Sequence, residues 1–121
     1  MSVSTPELIK QAVIKLQSEV PSLAKLKLAF GLELRGRGDV QVYRVEVPGP
    51  EVSKGFGDDE RLHVSIPRSH FNELVADGRV GHWHEAYDQG HIRVEGDPKV
   101  QQLIGKVIGQ AEARAQLKKA R

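Results

Sequence analysis

Three features are missing from this sequence of 121 residues: cysteine, long apolar runs and an evident leader segment. The absence of cysteine excludes disulfide bonds, thiolate catalysis and zinc sites built on sulfur. Apolar residues occur only in runs of a few, so we expect no membrane-spanning helix. Residues 1–16 have helical amphipathic spacing instead of the basic flank and solid apolar block of a secretory signal. We therefore expect a cytoplasmic protein.

An excess of charge of one sign is also missing, because 18 basic and 16 acidic side chains leave a net charge of only +2. That balance predicts no binding to nucleic acid, although the pI is about 9.0. Hydrophobic residues make up 39% and charged residues 28% of the chain, as in ordinary globular proteins. We expect a single domain over 1–121, with an N-terminal helix at 5–20, strands and helices at 26–112 and a basic tail at 113–121.

The first part of the chain predicts an amphipathic helix and then a half-buried strand. Ser4 and Pro6 are typical of a helix start, and apolar residues then recur at helical spacing up to Val20. From Leu26 the period changes to two, with leucines and Phe30 on one face and charged residues on the other. Such alternation indicates a sheet with one face in contact with water.

A turn and a second strand follow. Residues 36–39 can reverse the chain, so that 40–47 forms a strand antiparallel to the first. The apolar phase slips between Val42 and Tyr43, which predicts a β-bulge. Glycine and acidic residues dominate 51–60, and we expect a loop there.

The second half alternates short strands, helices and glycines at the points where the chain must turn. The first predicted elements are a strand at 62–66 and a helix that is capped by Ser69 and ended by a left-handed Gly78. A second helix carries Val80, Trp83 and Tyr87 and is ended by Gly90. A strand with Ile92 and Val94 follows, and then a last helix capped by Asp97 and Pro98. The last helix has an apolar stripe made of Val100, Ile104, Val107, Ile108 and Ala111.

In this order of elements the second half resembles the sterol-carrier-protein type of lipid-binding domain, the SCP-2-like fold. The family pattern runs from a strand and polar cap through two glycine-ended helices to an alternating strand, a glycine and a final amphipathic helix. The matching positions are 62–66, Ser69, Phe71, Leu74, Gly78, Trp83, Ala86, Tyr87, Gly90, 92–94, Gly96 and 100–108. The resemblance covers about half of the chain, and the helix and antiparallel strands before it suit the same topology.

The resemblance implies an α+β fold, in which a curved antiparallel sheet of four to five strands is covered on one face by helices. It also implies an apolar tunnel between sheet and helices that holds a sterol, a fatty acyl chain or a similar ligand, with no cofactor and no covalent step. By family position, the ligand-binding residues would be Phe71, Leu74, Trp83, Tyr87, Ile104 and Ile108. Two features depart from the family: the only methionine is Met1, and the chain ends Lys119-Ala120-Arg121 without the peroxisomal Ser-Lys-Leu address.

The histidines are the best candidates for a metal or acid-base site. His82 and His84 lie in one segment with Glu85, and imidazole and carboxylate groups bind zinc and copper. Residues two apart on a helix point in different directions, so we expect no convergence of the two imidazoles. His63 and His91 would be cross-strand neighbours on the wet face of the sheet. We therefore expect no metal site.

Other polar segments have simpler explanations. Residues 36–38 open no helix and predict a turn instead of a phosphate-binding loop, and Ser65 and Ser69 lack the context of a catalytic nucleophile. The acidic run 58–60 lacks the spacing of a calcium loop. The basic residues after 113 lack aromatic neighbours for stacking on bases, so we expect a solvated helix end with at most transient contact to a membrane surface.

Two functions remain open at this point. The first is non-enzymatic binding or carriage of a lipid in the implied tunnel. The alternative is an interaction or regulatory module of the same fold, with a filled core and no lipid. A sequence does not distinguish a filled core from a hollow one, because both present the same apolar stripe at helical spacing. The volume beneath the last helix therefore decides between them.

Overall fold

Helices and strands alternate along the computed structural model, which describes residues 4–119, with side chains described as far as Arg114. The α-helices of this part of the chain are α1 (Thr5–Glu19), α2 (Arg68–Asp77), α3 (Val80–Asp88) and α4 (Pro98–Lys119), and its strands are β1 (Leu28–Arg35), β2 (Val40–Val47), β3 (Glu51–Lys54), β4 (Leu62–Pro67) and β5 (Arg93–Gly96). A short 3₁₀ helix, Pro21–Lys25, joins α1 to β1. The side chains of the basic tail beyond Arg114 lie outside the described residues.

The five strands form one sheet in the order β3-β2-β1-β4-β5. Strand β1 pairs with β2 in antiparallel register, Leu28 opposite Val47, and with β4 in parallel register, Phe30 opposite Leu62. The two outer pairs are antiparallel. The predicted α+β fold with a sheet of four to five strands is confirmed. The parallel pair was not predicted, and it arises because the loop after β3 crosses β2 and β1 before β4 begins.

One face of the sheet, the inner face, is apolar and is covered by the helices. Paired residues share a face of a sheet, so Phe30, Leu32 and Leu34 of β1 form one surface with their inward neighbours. The strand residues in the buried core are Leu32, Leu34, Tyr43, Val45 and Ile66, and the residues that pack on them are Ile9 and Ala12 of α1, Phe71 and Leu74 of α2, Ala86 of α3 and Ile92. Each large apolar side chain buried there contributes about 1.5–3 kcal/mol.

The outer face of the sheet is polar, but the loop 55–61 lies across it. The rings of Phe56 and His63 contact each other with centroids 5.0 Å apart. They lie directly on Gly31, where a Cβ atom would be 2.7 Å from either ring. Arg44 fixes the loop through a bond of 2.6 Å from its Nη2 to Oδ2 of Asp59, and this bond lowers the pKa of Asp59. The predicted wet face is thus partly covered.

Two strand predictions in the first half were wrong. Strands β1 and β2 pair without interruption from Leu28–Val47 to Arg35–Val40, so there is no bulge at Val42. Val42 instead lies on the outer face, which explains the slip in apolar phase. The predicted loop at 51–60 begins with a true strand, because 51–54 pair with β2.

Two details of α2 also differ from the prediction. The helix begins at Arg68, directly after the strand, with Pro67 as its cap residue and no side-chain cap, so Ser69 lies inside the first turn. Gly78 ends the helix with a φ of −74°, which is not left-handed. A Cβ atom there would lie 2.4 Å from the carbonyl oxygen of Leu74. Close approach of the chain, not a positive φ, is the reason for glycine at this position.

The start of α4 agrees with the prediction of an Asp97-Pro98 cap. Oδ1 of Asp97 accepts a hydrogen bond of 2.9 Å from the backbone N–H of Lys99, which satisfies one of the free amides of the first turn. Nη2 of Arg61 donates to Oδ2 of the same carboxylate at 2.9 Å, and these bonds, the Arg61 bond most, lower the pKa of Asp97. The first turn of α4 is thereby tied to the residue before β4.

Gly96, at the end of β5, provides a test of the close contact between this end of the strand and Arg61. Its φ is +132°, and a Cβ atom would lie 2.4 Å from the carbonyl oxygen of Arg61, so we expect Gly96→Ala to lower the free energy of unfolding by about 1–3 kcal/mol. Gly109→Ala is the matched control, because nothing lies within 4 Å of its Cβ position in α4. That change should raise the free energy of unfolding by about 0.5–1 kcal/mol. Urea denaturation measures both, and equal effects would contradict the geometry at Gly96.

Candidate functional site

An apolar cavity of about 270 Å³ lies on the inner face of the sheet, between β4, β5, α3 and α4. Its lining residues are Leu16, Leu23, Leu62, Val64, Val80, Trp83, His84, Tyr87, Ile92, Val94, Gln101, Ile104, Gly105 and Ile108. The sheet provides the floor, α3 and α4 provide two walls, and the end of α1 with the 3₁₀ helix closes a third side. The strands and helices of the second half, which carry the family resemblance, therefore surround an open volume.

Small residues explain why this part of the inner face is not filled. The floor includes the short side chains of Val64 and Val94, which are cross-strand partners on β4 and β5, together with Leu62 and Ile92. On α4, the wall between Ile104 and Ile108 is interrupted by Gly105, and nothing lies within 4 Å of its Cβ position. Since interiors are normally packed as densely as organic crystals, a volume of this size is a distinct feature of the fold.

Two aromatic side chains of α3 form one wall. Trp83 is half-buried and packs edge-to-face on Phe71, with ring centroids 6.2 Å apart and planes at 75°. Tyr87 follows one turn later and is 47% exposed. Edge-to-face packing fixes the indole ring against the core, while Tyr87 marks the side of the cavity that reaches the surface.

Two polar residues of the cavity wall, Gln101 and His84, already have partners. Nε2 of Gln101 donates to the carbonyl oxygen of Gly96 at 3.2 Å. His84 contacts Oε1 of Glu112 through Nδ1 at 2.8 Å and lies 3.7 Å from Oδ2 of Asp88 through Nε2. Apart from these two residues, the described lining consists of glycine and of apolar and aromatic side chains.

Four of the predicted ligand-binding residues line the cavity: Trp83, Tyr87, Ile104 and Ile108. Phe71 and Leu74 do not. They belong to the buried core between α2 and the sheet, with exposures of 2% and 7%. Phe71 reaches the cavity only through its contact with Trp83. A role in ligand contact therefore stays a prediction for the four lining residues.

Several lining residues were missed by sequence reasoning. Leu16 and Leu23 belong to the N-terminal elements, and no local pattern indicates that they meet α4. Gly105 lies in the middle of a predicted helix, where an isolated glycine is unfavourable and usually has a packing or functional reason. That signal was available in the sequence.

The histidines do not form a common site. His82 caps the start of α3 with a bond of 2.9 Å between its Nδ1 and the N–H of Arg79, whereas His84 faces Glu112. The predicted pairing of His63 with His91 was wrong, because His63 lies opposite Glu95 on β5 and His91 precedes that strand. His91 instead stacks on His70 with centroids 4.3 Å apart. Among residues 4–119, no group of three or more histidine or acidic side chains could hold a metal ion.

A second depression, of about 280 Å³, lies between α2 and α3 on the other side of Ala86. Its rim is polar and includes Glu73, Asp77 and Glu85. This surface has neither the apolar lining nor the contact with α4 that distinguishes the first cavity. Within the described part of the chain, no helix combines the length and apolarity needed to cross a membrane.

Comparison with solved structures identifies the architecture. The sterol carrier protein domain 2 of Helicoverpa armigera superposes with a TM-score of 0.59 over 92% of this chain and 94% of that one, at 16% identity. The palmitated sterol carrier protein 2 like 2 of Aedes aegypti gives 0.58 over 83% and 93%, at 16% identity. The chain has the SCP-2-like fold. A third SCP-2-like neighbour, sterol carrier protein-2 of Aedes aegypti in complex with palmitate, gives 0.54 over 89% and 96%, at 12% identity.

No family model matches the sequence, and no curated protein matches it. At identities of 10–16%, these superpositions show the fold of this chain but not a shared ligand. The resemblance of the second half to this fold is confirmed.

Trp83 is the only tryptophan in the chain, and its position predicts an optical signal for an occupied cavity. An apolar occupant would remove water from the exposed part of the indole. We expect saturating decan-1-ol to shift the emission to shorter wavelength and to reduce quenching by acrylamide. N-acetyltryptophanamide with the same alcohol is the control for solvent effects. Unchanged quenching, while calorimetry detects binding, would place the ligand elsewhere.

Proposed function

We propose that the protein binds or carries an apolar lipid, without covalent chemistry, in the cavity between β4, β5, α3 and α4. The observation that supports this most strongly is the apolar volume of about 270 Å³ beneath α4. Ligand pockets are usually about 300–1,000 Å³, mostly apolar and furnished with few polar groups. The cavity is slightly smaller than that range and has the same apolar character.

The apolar lining of the cavity favours a ligand over a purely structural role. The cavity reaches the surface beside Tyr87, so its lining contacts water when no ligand is bound. An apolar occupant would displace that water, with a gain of about 25 cal/mol per Å² of apolar surface removed from water. The alternative of an interaction module with a filled core lacks this support.

The polar groups near the cavity suit binding better than catalysis. Ser65 lies on the outer face, where its Oγ donates to Oε2 of Glu33 at 2.7 Å, and Ser69 lies in the first turn of α2. Neither hydroxyl is part of the cavity wall. The imidazole of His84, the one base in the described lining, has no nucleophile beside it. Two solved neighbours of the same fold hold palmitate, which agrees with a lipid as the ligand class.

The cavity volume limits the size of the enclosed part of the ligand. An apolar cavity of about 150 Å³ accommodates benzene, so at the same packing about 270 Å³ would take roughly ten carbon atoms. A longer chain would extend past Tyr87 to the surface, as would the head group. The proposal therefore specifies a medium-length acyl chain, or a comparable part of a larger lipid, as the buried portion.

A series of straight-chain alkan-1-ols tests both the binding and the size. Each added methylene should raise the affinity about fourfold up to roughly ten carbons, after which the affinity should level off. Displacement of Nile red measures the series, and native mass spectrometry of the purified protein detects lipid retained from the cell. If Nile red does not bind saturably and no lipid is retained, the proposed function is wrong. A continuous rise to sixteen carbons would contradict the size limit.

Gly105 offers a second test, because a side chain there would occupy the cavity. We expect Gly105→Leu to reduce the affinity for decan-1-ol at least tenfold, since the isobutyl side chain of leucine would fill space now open to the ligand. Gly109→Leu is the matched control, one turn further along α4 with equally open space at its Cβ position but outside the lining. The control should keep the affinity of the unchanged protein. Equal losses in both variants would mean that the effect comes from α4 stability and not from the cavity.

A further inference from the structure

The charged side chains around the cavity bear on the charge of the ligand's head group, which the apolar lining does not determine. A fatty acid anion brings a carboxylate, and burying or partly burying a charge without a partner is costly. A lysine, an arginine or a helix N-terminus near the head would favour the binding of such a ligand. Among the side chains described, up to Arg114, none of the lining residues is a lysine or an arginine.

His84 is the lining residue with the chemistry to bind an anion, but acidic side chains surround it. Its Nδ1 lies 2.8 Å from Oε1 of Glu112, and its Nε2 lies 3.7 Å from Oδ2 of Asp88. A protonated imidazole between two carboxylates would still leave a local excess of negative charge. A ligand carboxylate next to His84 would therefore meet repulsion, which persists at distances of several ångströms near a protein surface.

The N-terminus of α3 is the other potential seat for an anion. Val80, its first residue, lines the cavity, and helix N-termini favour negative charge. Oε2 of Glu19, however, accepts a hydrogen bond of 2.7 Å from the N–H of Val80. The neighbouring N–H of Arg79 donates to His82 at 2.9 Å. A carboxylate of the chain itself thus occupies this end of the helix.

Given the proposed function, we infer that the lipid has an uncharged head group, such as a primary alcohol, a sterol hydroxyl or an ester, and that Glu112 and Asp88 select against fatty acid anions. A hydroxyl can donate a hydrogen bond to one of these carboxylates or to Nε2 of His84, whereas the carboxylate of a fatty acid anion has no hydrogen to donate. The two acidic residues act on the head group, while the apolar wall binds the chain.

Decan-1-ol and decanoate are a matched pair of probes with the same number of carbons. At pH 8 we expect decan-1-ol to displace Nile red at a concentration at least tenfold lower than decanoate does. Because an ionised head also lowers the affinity for any apolar site, the ratio alone does not identify the cause. The variants of the acidic pair supply that information.

Asp88→Asn and Glu112→Gln together remove the negative charge and retain the shape of both side chains. We expect this double variant to bind decanoate about three- to tenfold more tightly and to bind decan-1-ol no more tightly than the unchanged protein does, so that the preference for the alcohol over the anion falls at least threefold. Glu85→Gln is the control, since Glu85 also belongs to α3 but faces the second depression and bonds to Gln89. Added salt should raise the affinity of the unchanged protein for decanoate and leave that of the double variant almost constant.

The outcomes separate the two proposals. If decanoate binds the unchanged protein as tightly as decan-1-ol, or if the double variant leaves the ratio of the two affinities unchanged, the inference about the head group is wrong and lipid binding stands. If neither compound displaces Nile red, the proposed function fails, and the inference fails with it. Thermal denaturation of each variant checks that an altered affinity does not come from loss of the fold.

Discussion

Burial of the inner face of β1 is the constraint on which the rest of the structure depends. This central strand pairs with β2 on one side and β4 on the other, and Leu34 on its inner face is 0% exposed. Helices α1 and α2 cover the part of the sheet around β1, and Phe71 and Leu74 of α2 pack there in the buried core. At the other end, α3 and α4 face Leu62 and Val64 of β4, Val94 of β5 and the preceding Ile92 across the cavity. There the helices do not pack directly on the strands, and the space between them is the cavity.

The sequence allowed much of the fold to be predicted, because its signals are local. Helical spacing, the Asp97-Pro98 cap and alternation in β1 each depend on a few neighbouring residues, and all three are present in the structure. The parallel pairing of β1 with β4 has no local signal. It depends on the path of the loop 55–61, which the contacts of Phe56 with Gly31 and His63 determine.

The site was less accessible to sequence reasoning than the fold. Trp83, Tyr87, Ile104 and Ile108 share helix faces that must point inwards, so their position at the inner face follows from periodicity. Periodicity does not distinguish them from Phe71 and Leu74, which point inwards from α2 and meet a filled region. The difference is one of packing volume between elements distant in sequence. The partners of His84 also come from such a contact, because Glu112 belongs to another helix.

The order of the cavity-forming elements along the chain has a consequence for folding. The floor residues of β4 lie near the middle of the sequence, but Ile104 and Ile108 belong to the last helix. The part of the inner surface of β4 and β5 that faces α4 therefore stays open until α4 docks. Docking of α4 through Asp97 and Arg61 completes both the burial of this surface and the enclosure of the cavity. For the proposed apolar ligand, this order means that the floor of the cavity is accessible before α4 encloses it, so that capture during synthesis would coincide with the docking of α4.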